Sequence, residues 1–208
     1  MVRRRVTQEE RKKATRQLLL ESAARTFAHL GFHGASVDKI AECAGFSKGA
    51  VYAHFSSKEV LFLAIMEQQM HLHVHNIQQA IDQHHSLSHF IESMDEYFDS
   101  VRQKNRTWSM LHMEFLLYAM REESVRHKWS AMIAESIEQI SKAIEKLKAK
   151  QTQGARLSTV ELAWTILSLE NGMAIFYYMD EDNVPSHLYG KALHKLLDPP
   201  SLEDLKNR

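Results

Sequence analysis

The chain has 208 residues, only seven of them glycine and three proline, and its 26 Lys and Arg are matched by 26 Asp and Glu. A single cysteine excludes an internal disulfide framework and any cysteine-based zinc finger. No apolar run approaches a membrane span, and the composition is that of an all-helical, cytoplasmic protein.

The zero net charge hides an asymmetry. Residues 1–60 carry eleven Lys and Arg against six Asp and Glu, a balance of +5, and the remainder carries −5. A basic module on an acidic body is the footprint expected of a chain whose one end meets DNA. Arg3, Arg4 and Arg5 precede charged residues rather than an apolar signal core, and read either as a solvated end or as an arm for a minor groove.

Thr7 and Glu10 have capping-box spacing and open a first helix. Its expected buried stripe is Leu18, Leu19, Ser22, Ala23, Thr26 and Phe27, and Gly31 is expected to end it. Val37, Ile40, Ala41 and Ala44 then fall on one face of a second helix, with Ser36 as its N-cap and Gly45 as a left-handed turn residue. Ser47 caps a very short third helix, Lys48 to His54. Val51 and Phe55 anchor it inward, while Lys48, Gly49, Tyr52, Ala53 and His54 face out. Helix, glycine turn and helix form the helix-turn-helix signature, whose second helix enters the major groove.

The string from Ser36 through Ile40-Ala41, Ala44-Gly45-Phe46-Ser47-Lys48-Gly49, Val51-Tyr52, His54-Phe55 and Ser57-Lys58-Glu59 to Leu61 resembles the DNA-binding domain of the TetR family of bacterial repressors. The resemblance implies that Tyr52 and His54 touch phosphates or thymine methyls. It also implies that Lys48 reaches base edges or backbone and that Lys58 clamps a phosphate. Ser36 and Ser47 would contribute contacts from helix N-termini, and Gly49 and Ala50 would let the short helix press close to the duplex. The partner implied is double-stranded DNA with a palindromic operator, read by a homodimer.

Ser56 to Glu59 has capping-box spacing and opens a long fourth helix on Val60, Leu61, Leu63, Ala64 and Met66. Further helices are expected over Leu87–Lys104, from about Thr107, over Glu123–Lys150, from Ser158, and on Leu188 to Leu197 before Pro199-Pro200. Gln151–Ala155 reads as a polar turn. The architecture expected is all-α. An N-terminal helix-turn-helix domain of three helices (1–56) is joined by a long helix to a six-helix ligand-binding and dimerisation domain (57–208).

The helix after Ser158 leaves almost no polar face, and it can bury one side most easily in a second subunit. Trp164, Leu167 and Ile175 on it, with Leu188, Ala192 and Leu196 on the last helix, are the expected dimer contacts. Met66, Met94, Phe98, Trp108, His112, Phe115, Trp129, Met132, Met173, Phe176 and Tyr177 supply the adaptable side chains of an apolar cavity. The resemblance implies a small, often hydrophobic or cationic inducer there.

Glu114 and Glu170, set in apolar stretches, read either as solvated or hydrogen-bonded residues or as polar anchors of that cavity. Cys43 reads as a small buried hydrophobe. His71 and His75, one turn apart, could hold a metal only with further ligands, which would make a metal-responsive repressor. No glycine-rich phosphate loop, Gly-x-Ser-x-Gly or HExxH is present, so neither an enzyme nor a cofactor is expected. A helical enzyme using the N-terminal module as a scaffold is the rival class.

Overall fold

A computed structural model describes residues 7–83, 86–104, 106–148 and 157–197, with the side chains of 101–108 and 148 left aside. The arginine-bearing segment 1–6, His84, His85, the expected turn at 151–155 and Pro199-Pro200 lie outside the described residues. Among the described residues there are nine α-helices and no strand: α1 (Gln8–Gly34), α2 (Val37–Ala44), α3 (Lys48–His54), α4 (Lys58–Gln83), α5 (Leu87–Lys104), α6 (Arg106–Arg121), α7 (Glu123–Lys148), α8 (Thr159–Met179) and α9 (Leu188–Leu197). The chain is all-α, with an N-terminal helix-turn-helix followed by a helical C-terminal part.

Packing divides the chain into two compact units. The first holds residues 1–69 and 107–129, and the second holds 70–106 and 130–208. In the first unit, the Thr7 hydroxyl accepts from Glu10 N while the Glu10 carboxylate accepts from Thr7 N, so the capping box starts α1 as expected. Leu19, Leu20, Ala23 and Phe27 line its buried face, and the Ser22 hydroxyl donates to the Ile40 carbonyl of α2 at 3.0 Å. Leu18 departs from the expected stripe and is half exposed, because three successive leucines step 100° apart and cannot all face one core. Gly31 breaks the regular helix with φ 70 and ψ 168, and a last turn carries α1 on to Gly34.

α4 is capped by Ser57, whose hydroxyl accepts from Val60 N at 3.2 Å, one residue later than the Ser56–Glu59 spacing suggests. Phe27, Phe32, Phe62 and Phe115 then form a continuous aromatic core, with ring centroids 4.8 to 5.7 Å apart along the run. Edge-to-face and offset contacts of this kind add to the apolar burial that holds the unit together.

The second unit is organised around Val74, Ile77 and Ile81 of α4 and Phe90, Met94 and Phe98 of α5. Ile140 and Ile144 of α7, Leu162 and Ile166 of α8 and Tyr189 and Leu193 of α9 complete it. The Ser158–Glu161 capping box starts α8 as its sequence implies. The last helix is anchored by Asp95 of α5, whose carboxylate accepts from Gly190 N at 2.8 Å and contacts His187 Nδ1 at 2.7 Å. A Cβ at Gly190 would lie 2.8 Å from the Asp95 carboxyl carbon, so this approach requires glycine.

Candidate nucleic-acid interface

The geometry around α2 and α3 follows from local capping chemistry. The Ser36 hydroxyl accepts from Lys39 N at 3.1 Å and the Ser47 hydroxyl from Ala50 N at 3.2 Å, so each short helix has a satisfied first turn. Gly45 lies in the left-handed region (φ 73, ψ 27), and its N–H returns to the end of α2. Nothing stands within 4 Å of where its Cβ would be, so glycine is needed there for conformation alone. Val51 and Phe55 are buried, which leaves the opposite face of α3 open.

On that open face stand Lys48, Gly49, Tyr52 and Ala53, with Ala50 and His54 half-buried at its edges. Tyr52 is 47 % exposed, a large ring held away from any core. A Cβ on Gly49 would meet only the Ser47 hydroxyl at 3.8 Å, so nothing in the fold itself requires glycine at that position. A side chain omitted where the fold has room leaves backbone open to close approach by another surface. The Ser36 and Ser47 hydroxyls accept from their own helices and retain an O–H to donate.

Two lysines are already engaged. Lys48 Nζ lies 2.7 Å from Asp38 Oδ2 of α2, and its hydrogen bond to that carboxylate, with the charge attraction, raises the lysine above its ordinary pKa. Lys58 Nζ donates to the Phe32 carbonyl at 2.8 Å and the Ala35 carbonyl at 3.1 Å, and sits 4.4 Å over the Phe32 ring. It holds together the end of α1, a role its sequence neighbours do not announce. Cys43, read as buried, is exposed, since it falls just outside the α2 face that Val37, Ile40 and Ala41 bury.

The cavity candidates fall into two groups. In the first unit, Met66, Phe115 and Trp129 are buried and His112 lies edge-on to Trp129, with centroids 6.3 Å apart. The buried indole Nε1 of Trp129 has no hydrogen-bond partner among the described residues. In the second unit, Met94, Phe98 and Tyr177 belong to the core, Met173 packs against it and Met132 is half-buried. Phe176 is not interior. It is 65 % exposed, on the outward side of α8 with Met179. The Trp108 side chain lies outside the described residues. A groove of about 330 Å³ does open in the second unit, between Ile91, Glu92 and Asp95 of α5 and Lys191 and Lys195 of α9, with His187 just before that helix, and it holds none of these candidates.

Sequence reasoning missed a polar cluster in the second unit. His73 Nε2 approaches Glu170 Oε2 at 2.9 Å without hydrogen-bond alignment, an ionic contact, and the Tyr189 hydroxyl donates to Glu170 Oε1. Burial lowers the His73 pKa, but the charge of Glu170 and its close contact with the imidazole together outweigh burial, and the net shift is upward. Burial, followed by the same carboxylate, pushes Tyr189 well above its usual range. The available signal was a lone Glu in an apolar run and a histidine between two outward ones. His71 and His75 are themselves exposed, and no group of three or more metal-competent side chains occurs among the described residues.

Of the expected dimer contacts, Trp164 and Ile175 are exposed, Leu188, Ala192 and Leu196 half-buried, and Leu167 is buried within its own chain. A capped short helix with a buried back and an open front, set behind a glycine turn, defines a helix-turn-helix protein. The family described as bacterial regulatory proteins, tetR family, matches residues 19–65, and that part of the chain is a DNA-binding domain of this family.

The chain is 49 % identical over 53 residues to the HTH-type transcriptional repressor AcnR of Corynebacterium diphtheriae. That match covers 26 % of this chain and spans only 28 % of the repressor's own length. It is 29 % identical over 142 residues, 68 % of each chain, to the uncharacterised HTH-type transcriptional regulator YfiR of Bacillus subtilis. The structure of the transcriptional regulator FadR from Bacillus subtilis in complex with stearoyl-CoA superposes with a TM-score of 0.69 at 15 % identity, covering 89 % of this chain and 99 % of that one. At that identity the likeness is one of fold.

Proposed function

We propose that the protein is a ligand-responsive transcriptional repressor that binds a palindromic operator as a homodimer in the cytoplasm. The carrying observation is the open face of α3, where Lys48, Gly49 and Tyr52 stand over the buried Val51 and Phe55. Ser36, Ser47, Lys48, Gly49, Ala50, Tyr52, His54 and Lys58 form the proposed contact set, and residues 1–56 the DNA-binding domain. Two-fold symmetry makes the operator palindromic, with half-sites about one helical turn or a multiple apart. The exposed apolar side of α8, with Trp164, Ile175, Phe176 and Met179, supports self-association.

Residues 57–208 would take a small molecule. A protein of this fold solved with stearoyl-CoA supports that reading, and the AcnR match supports repression. Ligand and DNA are then linked. An occupant that favours one arrangement of the helices lowers DNA affinity, and DNA lowers ligand affinity by the same factor. The test is selection of bound duplexes from a random pool by the full chain, followed by salt titration of the winner. A two-fold symmetric consensus with a steep salt slope is expected, and absence of any enriched sequence would remove the proposal.

A further inference from the structure

We infer that Glu114 is a positioning residue for the DNA-reading helices: it fixes the bend at the end of α1, and through it α6 sets how α2 and α3 are presented. The inference rests on the DNA-binding reading above and adds the element that regulates it. At Gly31 the backbone turns to φ 70, which takes the following N–H out of the helical ladder. That N–H, on Phe32, donates instead to Glu114 Oε1 at 2.8 Å, across 82 residues of sequence. The carboxylate is so close that a Cβ on Gly31 would lie 3.2 and 3.3 Å from its two oxygens. Glycine is therefore needed at residue 31 twice, for its backbone angle and for this approach.

The Lys58 ammonium of α4 holds the bend from another side through the Phe32 and Ala35 carbonyls. The Phe32 ring is stacked on Phe62 at 4.8 Å and lies 4.9 Å from Tyr118 of α6. The N-cap of α2, Ser36, comes four residues after Phe32, so the direction in which the helix-turn-helix leaves α1 is decided at this joint.

Chain connectivity gives the joint its regulatory meaning. The chain passes between the two units within α4, at the first residue of α6 (106–107), and within α7 after Trp129. α6 packs with the first unit, yet both of its ends lead by short covalent paths into the second. A rearrangement of the second unit around an occupant therefore loads α6 from both ends. Glu114 is where α6 grips the α1 main chain.

The test compares wild type with Glu114→Ala, Glu114→Gln and Glu114→Asp, all in the full chain, on the selected duplex and on one whose half-sites are moved apart by two base pairs. Wild type discriminates between the spacings. Glu114→Ala binds the selected duplex at least tenfold more weakly and loses most of that discrimination. Glu114→Gln, whose amide oxygen still accepts from Phe32 N, keeps it. The salt slope stays the same in all, because no phosphate contact is touched.

An equal loss of affinity on both duplexes would show a merely structural role and overturn the inference. So would wild-type discrimination in Glu114→Ala, or a Gln variant as defective as Ala. Should Glu114→Ala fail to fold, Glu114→Asp, one methylene shorter, carries the same expectation in milder form, and its keeping full discrimination overturns the inference. Failure of wild type itself to select a duplex would instead remove the DNA-binding reading. Amide exchange at Phe32, accelerated at least tenfold in Glu114→Ala and unchanged in Glu114→Gln, then decides the joint separately, and unaccelerated exchange in Glu114→Ala refutes it.

Discussion

Replacing His73 by leucine tests the cluster that ties α4 to α8 and α9. His73 and Glu170 have side-chain exposures of 21 % and 12 %, so their charges see little solvent. Without His73, Glu170 keeps the Tyr189 hydroxyl as a partner but no counter-charge. Buried pairs broken on one side lose about 3–5 kcal/mol. The retained tyrosine bond places His73→Leu near the lower end, about 3 kcal/mol, or a fall in Tm of about 6–12 °C for a chain of this size.

Glu170→Gln still accepts from Tyr189 and can donate to a neutral imidazole, so it is expected to lose only about 1 kcal/mol. Both variants are measured by thermal and urea unfolding at one protein concentration, since association shifts Tm. The sign with pH follows from the raised His73 value. Its stabilisation is complete below the unfolded histidine value of about 6.5 and declines as pH rises through the folded value. Wild type therefore loses stability over that window relative to His73→Leu. Stability of His73→Leu within about 1 kcal/mol of wild type at pH 7, or an identical pH slope in the two, would refute the reasoning.

Lys58→Met removes two charge-assisted hydrogen bonds from the end of α1, and is expected to destabilise the first unit by about 2–3 kcal/mol. Unfolding without DNA measures that loss, and a salt slope reduced by about 0.9 in DNA binding would add the proposed phosphate contact. Asp38→Asn releases Lys48 from its exposed ion pair and should tighten DNA binding across all sequences, more at low salt than at high, as titration on selected and scrambled duplexes would show. Trp164→Glu places a charge on the exposed side of α8 and should halve the mass seen by sedimentation while weakening binding to a full palindrome more than to a half-site.

The features legible in the sequence are those governed by rules that act within four residues. Ser36, Gly45 and Ser47 could be read because an N-cap needs a short polar side chain at a fixed offset, and a left-handed turn needs a residue without a Cβ. The α3 face was legible for the same reason: on a seven-residue helix, burying Val51 and Phe55 leaves little choice for Tyr52. The Glu114–Phe32 bond, the Lys58 grip and the His73–Glu170–Tyr189 cluster join residues 82, 26 and up to 116 positions apart. No local pattern encodes such pairings. Cys43 and Leu18 were misread for a simpler reason, because helical periodicity gives the direction of a face and its edges lie within one 100° step of error.

The same limit explains why the packing units do not follow chain order. The apolar stripe of α6, with Leu111, Phe115 and Ala119 buried, shows that the helix has a buried side and says nothing of which helix covers it. Phe115 lies against Phe62, and Phe62 against Phe27 and Phe32, so the module that presents α3 is completed by a helix from the middle of the chain. The proposed functional division at 56–57 describes where the helix-turn-helix gives way to the long helix, whereas the packing division describes what keeps the helix-turn-helix in place. A module of 56 residues is short of apolar surface for a core of its own. Borrowing Phe62 and Phe115 supplies that core, and it also makes the setting of α2 and α3 depend on α4 and α6, the elements through which the proposed ligand would act.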